Sequence, residues 1–379
     1  MLSGSKSRAP RIVHLIDSGG FFGAEQVVVT LAAQQADNGL EVVIGTIISP
    51  QDDGNPIGDV ARSRNVPVVV FEIEDGLNRS GMHRILEWID ASEISVVHCH
   101  GYKANIFLGL SAPRNRPWRL VATLHGWVAG SLRSRLGVYE FAERMILRRF
   151  DLVCPVADGM VTRLPRVLRR QDRVRVIPNG IQIEVETERL PNDIAAFSNG
   201  ASILVAIGRL SGEKCFSVLI DAFARLIQTR EQICLVIVGA GGERDALARQ
   251  IEDLDLAASV MLAGYRERPR KWLGHCAALV ISSRTEGLPM VLLEALAAGL
   301  PVVSTRVGQI PVVAADVDIR LVDPGDARAL CQNMADALEF GAEDELMRRR
   351  QQVVAQRFSA GAMAKAYDDA YAYAEDRAR

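Results

Sequence analysis

The chain has 379 residues, 49% of them hydrophobic and 24% charged, with a formal net charge of −2. Those proportions are those of an ordinary soluble globular protein, and the length asks for two domains, because single cores seldom grow past ~250–300 residues. No apolar run approaches the ~18–20 residues that cross a bilayer, and "MLSGSKSRAPRIVHLID" has too short an apolar segment for a secretory signal.

The six cysteines are scattered without a CxxC pair. They read as reduced thiols rather than a disulfide framework or zinc site, which places the protein in the cytoplasm. Charge is uneven: residues 111–175 hold 14 Arg, no Lys and 5 acids. Within that stretch "SLRSRLGVYEFAERMILRRFD" interleaves Arg with Leu, Tyr, Phe, Met and Ile at helical spacing. The segment 131–175 is therefore expected either to be a solvated helix face or to touch an anionic membrane, which would put the protein on the inner face of the cell membrane. No DNA- or RNA-binding signature accompanies the arginines, so no nucleic-acid partner is expected.

Along the chain, β-branched runs alternate with helix-period segments. "RIVHLI", "EVVIGTII", "VPVVVFEI", "ISVVHCH", "RLVATLH", "DLVCPV" and "VRVIP" read as strands of the first half. Among the intervening helices, "AEQVVVTLAAQQADNG" ends on Gly39. The rhythm restarts with "SILVAIG", "QICLVIVG", "SVMLAG", "AALVISS" and "PVVST". Buried runs alternating with helices mean βα units and parallel sheets, hence an α/β protein of two doubly wound domains. The predicted boundaries are residues 1–183, a linker at 184–201 without helical or strand period, a second domain at 202–355, and a helical tail at 356–379 that packs back toward the first domain.

Ligands of open parallel sheets sit beyond the carboxyl ends of strands, so the loops there are the informative ones. After the first strand, "DSGGFFGAEQ" frees its backbone at Gly19, Gly20 and Gly23 before a helix, as an anion site or as a plain turn. After the first strand of the second half, "GRLSGEK" sets Arg209 and Lys214 five residues apart, either as a diphosphate clamp or as surface cations paired with Glu213 or Asp221. In "SSRTEGLPMVLLEALAAG" a loop leads into a helix, so Glu286 precedes the helix and Glu294 lies in its second turn. Carboxylates in so apolar a ribbon need partners: ligand hydroxyls, or an Arg elsewhere. "HCHGYKAN" places His98 and His100 on one strand face. A metal pair there lacks an obvious third ligand, and His100 toward the ligand with His98 in the packing is preferred.

Glu286-x7-Glu294 with "GRLSGEK", "VIPNGI" and the early Gly-Gly loop with "GAE" resembles the retaining nucleotide-sugar glycosyltransferases of family 4, over essentially the whole chain. The resemblance implies the GT-B fold, two Rossmann-like domains facing each other across a cleft. It implies that Arg209 and Lys214 bind the donor diphosphate, Glu294 the ribose and Glu286 the sugar hydroxyls, with Gly287, Leu288 and Pro289 beside a phosphate. His125 would sit beside the transferred sugar, Gly19 and Gly20 would approach the donor, and Tyr265 and Arg266 would border the base. The catalytic set is then His125, Arg209, Lys214 and Glu286, with His100 and Lys103 on the acceptor side. The expected partners are a nucleotide-sugar donor and a glycan or lipid-linked acceptor, and no metal or other cofactor is expected.

The sequence departs from the family pattern at Cys215, where Gly is usual, and at Gln309 and Val312, where Gly and Glu are common. Cys215 beside Lys214 is either a reactive thiol or an inert packed one. A phosphorylase or nucleotide-sugar epimerase of the same fold, or a silent binding subunit, would share most of these features. An NAD-dependent oxidoreductase is disfavoured, because "VIVGAGGERDAL" has Arg244 where the third fingerprint glycine belongs.

Overall fold

Two runs of parallel strands organise the computed structural model, which describes residues 11–17, 23–51, 54–74, 76, 78–126, 135–170, 172–183, 188–340 and 343–377. The chain divides into one unit of residues 1–180 with 360–379 and a second of residues 181–359. The first unit holds β1 (Arg11–Asp17), β2 (Glu41–Ile48), β3 (Val68–Glu72), β4 (Val96–His100), β5 (Arg119–Leu124) and β6 (Leu152–Pro155). They pair in the order β3-β2-β1-β4-β5-β6, all parallel. The second unit holds β7 (Ser202–Ile207), β8 (Ile233–Val238), β9 (Val260–Gly264), β10 (Ala278–Ile281), β11 (Val302–Thr305) and β12 (Ile319–Val322). Read from its other edge, its order β9-β8-β7-β10-β11-β12 repeats that of the first. Each unit is therefore a doubly wound Rossmann-like domain. Each reverses its strand order between its first and fourth strands, where crevices for ligands form.

Alternation along each strand decides what covers the two faces. In the second unit Ile203, Val205, Val236 and Leu279 enter one apolar cluster, while their neighbours Leu204, Ala206, Leu235 and Val280 enter another. Both faces are buried, which is why these strands read as continuous apolar runs. The first unit differs. Val13, Leu15, Val97, Cys99, Leu120 and Ala122 build one apolar cluster. Register sets His14 opposite His98 and His100 opposite Thr123, so the other face carries polar groups in the interior.

The helix Ala360–Asp376 lies in the first unit and covers that polar face with Tyr367 and Tyr371, both buried. Ahead of it, the helix Asp344–Arg357 is fastened in the second unit by Arg350, which donates to Gly299 O at 3.0 Å.

Three elements depart from expectation. "VRVIP" falls short of a regular strand: it runs beside β6 through a bridge from Val174 to Val153, with Arg175 N donating to Val153 O at 3.1 Å and Ile177 N to Pro155 O at 3.0 Å. The strand β12 was not anticipated, because "IRLV" is only four residues long and carries Arg320 in its middle. Residues 192–198, expected to lack regular period, form a helix that buries Ile194.

Candidate functional site

In the second unit the loop after β7 is built by close backbone approach. A Cβ on Gly239 would lie 1.8 Å from Gly208 O, and one on Gly241 would lie 2.3 Å from Leu210 O. The "GAGG" segment after β8 thus packs against "GRL", with Gly208 N donating to Val238 O and Leu210 N to Ala240 O, each at 2.9 Å. These glycines serve packing between two loops, a use that needs no dinucleotide.

That packing steers Lys214, whose stem lies over Gly208, toward the loop after β10. Lys214 Nζ meets Glu286 Oε1 at 2.6 Å, and Ser283 Oγ donates to the same oxygen at 2.6 Å. The side chains keep only 20% and 11% of their exposure, so water screens the pair weakly. Two further bonds tie the loops: Ser282 Oγ to Lys214 O at 2.8 Å, and Arg284 N to Glu213 O at 2.7 Å. Glu286 and Gly287 rest on a third turn, since a Cβ on Gly308 would stand 2.3 Å from both their carbonyl oxygens. Gln309 N donates to Gly287 O at 2.9 Å.

Glu294 sits in the second turn of the helix Met290–Ala297, 3.7 Å from Arg270, with 10% and 12% side-chain exposure. The two carboxylates of the apolar ribbon therefore each have a cation, Lys214 for one and Arg270 for the other. Leu288 and Pro289 are buried, so only their backbone can meet a ligand, and the proline has no N–H to offer. Arg209 is exposed. Tyr265 is 76% exposed, whereas Arg266 is paired with Asp193 of the helix Asn192–Ser198. Cys215 is buried in the left-handed region at φ +51°, the conformation that favours glycine, and its thiol donates to Gly212 O at 3.2 Å.

The first unit gathers a different set of groups. His125 follows β5, and its Nε2 lies 3.1 Å from His100 Nδ1. His100 Nε2 lies 3.0 Å from His14 Nδ1, and His14 Nε2 lies 2.8 Å from Gln35 Oε1. Beside this chain His98 is bonded to Tyr371 and Thr123, each at 2.7 Å. Burial lowers His14 to about 4 and His125 to about 4. It also holds His98 and His100 well below the ordinary value, with the neighbouring imidazoles adding to the shift. All four are neutral at pH 7.

Asp17, at the end of β1, goes the other way. Burial raises it to about 6 against the attraction of Lys103. Lys103 also lies over the Phe107 ring at 6.0 Å.

The structure thus brings Lys214, Glu286, Ser283 and Gly287 together in the second unit, with Glu294 on the helix that follows. In the first unit it joins His100 to His125. Gly19 and Gly20 lie outside the described residues. Sequence reasoning missed His14, Gln35 and Asp17. The one available signal was that His14 stands on the first strand, whose neighbour in a doubly wound sheet is the strand of His98 and His100. His14, His98 and His100 offer nitrogens all within 4.8 Å of one another, so a third group does stand beside the histidine pair.

Comparison with known proteins adds the following. Residues 22–185 match the family model described as Glycosyltransferase Family 4, and residues 201–339 match that described as Glycosyl transferases group 1. The chain is 33% identical over 220 residues to the lipopolysaccharide core biosynthesis glycosyltransferase LpsE of Rhizobium meliloti, covering 57% of this chain and 61% of that one. It is 28% identical over 335 residues to the phosphatidyl-myo-inositol mannosyltransferase of Mycobacterium leprae, covering 86% of each. Matches to three further relatives span 34% to 61% of their length. Among solved structures, HepE of Anabaena in complex with UDP superposes with a TM-score of 0.80 at 22% identity, covering 96% of this chain and 100% of that one. A likeness at that identity shows the fold, which is GT-B.

Proposed function

We propose that this chain, which belongs to glycosyltransferase family 4, moves a hexose from a nucleoside diphosphate sugar to a glycan or lipid-linked acceptor with retention of anomeric configuration. The observation that carries the reading is the loop pair in the second unit. There Glu286, in the loop after β10, holds Lys214 in the loop after β7, and Glu294 stands on the helix that follows Glu286.

In the proposed reaction the anomeric C–O bond to the diphosphate breaks, and its electron pair leaves with the phosphate oxygen. The acceptor oxygen bonds to the same face of the anomeric carbon, and its proton passes to the departing phosphate. Arg209 and Lys214 stabilise the charge that develops on the leaving group. An ammonium has three donors, so the bond to Glu286 fixes Lys214 while leaving it able to reach phosphate. Glu294 holds the ribose, Glu286 the donor sugar, and His125 the transferred sugar. With two cations at the diphosphate, turnover is expected to survive chelation of divalent metal.

UDP is the first nucleotide to try, because HepE structures of the same fold contain UDP and UDP-glucose. A membrane-borne acceptor is supported by the helix Arg135–Ile146, which exposes Val138, Tyr139, Phe141 and Met145 within the arginine-rich segment. Among the described residues no helix is long and apolar enough to cross a membrane, so such contact would lie at the surface. Sedimentation with anionic but not neutral vesicles, lost in Phe141→Asp, is the expected result.

The deciding experiment is thermal stability of wild type and Glu294→Ala against UDP, GDP, ADP, dTDP and NAD⁺. A ligand at ~100 times its Kd adds about 2.7 kcal/mol. One nucleoside diphosphate stabilising wild type but not the variant supports the site. Stabilisation by NAD⁺ alone overturns the transferase reading.

A further inference from the structure

His125 ends a chain of hydrogen bonds whose direction is set from the opposite end. Gln35 Nε2 donates to Asp368 Oδ1 at 2.8 Å. An ionised carboxylate accepts only, so the amide must turn its NH2 toward Asp368 and its oxygen toward His14. His14 Nε2, 2.8 Å from that oxygen, must then carry the hydrogen. A neutral imidazole has one hydrogen, so His14 Nδ1 is bare and accepts from His100 Nε2 at 3.0 Å. The same rule leaves His100 Nδ1 bare to accept from His125 Nε2 at 3.1 Å. His125 Nδ1 is therefore a lone pair. It is buried, and no hydrogen-bond partner for it occurs among the described residues.

Resting on the reading of His125 as the group beside the transferred sugar, we propose that Asp368 is a positioning residue for the transfer reaction: through Gln35, His14 and His100 it fixes the tautomer of His125, so that Nδ1 accepts a hydrogen bond from a substrate hydroxyl. The distance in sequence is large, since Gln35 and Asp368 are 333 residues apart. The helix Ala360–Asp376 thus does more than fill the polar face of the first sheet. Burial keeps the imidazoles neutral, without which each could carry two hydrogens and no order would pass along the chain.

A metal ion at His14, His98 and His100 is the rival explanation. Every ring nitrogen of the three already has a hydrogen-bond partner: His14 with Gln35 and His100, His98 with Tyr371 and Thr123, and His100 with His14 and His125. An ion would have to displace those bonds. The site holds together without one.

The order can be reversed and restored. In Asp368→Lys the ammonium only donates, so the Gln35 oxygen turns to it and the NH2 turns to His14. The hydrogens of His14, His100 and His125 then all move to Nδ1. Adding Gln35→Glu places an acceptor-only carboxylate beside His14 and returns them to Nε2. Nitrogen NMR of the full-length unliganded protein with labelled histidine, at about pH 8 where carboxylates are ionised, reads each ring directly.

Wild type should show bare Nδ1 on His125, Asp368→Lys a protonated one, and the double variant bare Nδ1 again. The kcat should fall roughly tenfold in the single variant, the loss of about one hydrogen bond, and recover in the double. A wild-type His125 protonated on Nδ1, an unchanged kcat after the tautomer has switched, or a divalent cation in the purified protein by elemental analysis overturns the inference. Because the spectrum is read without substrate, a wrong tautomer there refutes this inference and leaves the transferase reading intact. A wild type with the right tautomer that transfers no sugar refutes the transferase reading and, with it, the catalytic use of the order.

Discussion

The second unit presents its candidate residues as charges, and the first presents its own as neutral rings. Lys214 and Glu286 are held by opposite charge and by Ser283 on loops beyond β7 and β10. His14, His98 and His100 lie inside the sheet itself, at its strand-order reversal, and are held by hydrogen bonds alone. A charged ligand calls for the first arrangement, because cations near a phosphate act through their field. A hydroxyl calls for the second, because what matters to it is which atom donates. The same topology therefore supplies an electrostatic site in one unit and a site of fixed hydrogen-bond polarity in the other.

The comparison can be broken most sharply at Lys214. Lys214→Ala removes positive charge and leaves Glu286 without its ammonium, and kcat/KM should fall roughly 10³-fold in steady-state assays. A loss under tenfold would mean that the second unit does not work by charge.

Acid should break the first unit instead. A histidine buried neutral with its pKa near 4 contributes stability that is full above the unfolded value of 6.5 and is lost as pH falls toward 4. At pH 5 His14 and His125 should each have lost about 2 kcal/mol. Asp17 has the opposite sign: its pKa, raised to about 6, returns about 1 kcal/mol over the same interval. Melting curves between pH 7 and about 5 should thus show a net loss of about 3 kcal/mol from these three groups. A flat profile would mean that the histidines are not buried neutral.

Gly308→Ala tests whether the charged site depends on its backbone. The new Cβ would meet two carbonyl oxygens at 2.3 Å in a residue at φ +56°. Urea unfolding should show a loss of about 2 kcal/mol, with weaker nucleotide binding. Cys215→Ala should change kcat by less than about twofold, because the thiol is buried and bonded to Gly212 O. A larger loss would restore the reactive-thiol reading.

Much of the fold was legible because it rests on local pattern. The runs at 11–16, 41–48, 202–208 and 232–239 became β1, β2, β7 and β8, since runs rich in β-branched residues suit a buried sheet, apolar on both faces at β7 and β8 and interrupted by His14 at β1. Pattern failed where context decides. "VRVIP" has strand composition but runs beside β6 through a few bonds without becoming a regular strand, whereas the four residues of "IRLV" are too few to show a pattern and still pair with β11. The helix at 192–198 is stabilised by burying Ile194, a tertiary effect.

Glu286, Glu294, Arg209 and Lys214 could be singled out from spacing, because loop and helix residues a few positions apart carry their relation within one short segment. The histidine chain could not. His14 comes from the middle of one strand, His100 and His125 from the ends of two others, and Gln35 and Asp368 from two helices, and their relation exists only once the sheet is assembled.

The sequence alone therefore determined the class of fold, the repeated βα rhythm and the charged loops, since each depends on periodicity or on neighbours in the chain. Only the tertiary structure decided that His14 faces His98 across adjacent strands, and that an aspartate on the last helix orients the hydrogen on an imidazole at the end of β5. A hydrogen bond has a direction, and direction passes only between groups that folding has brought within about 3 Å.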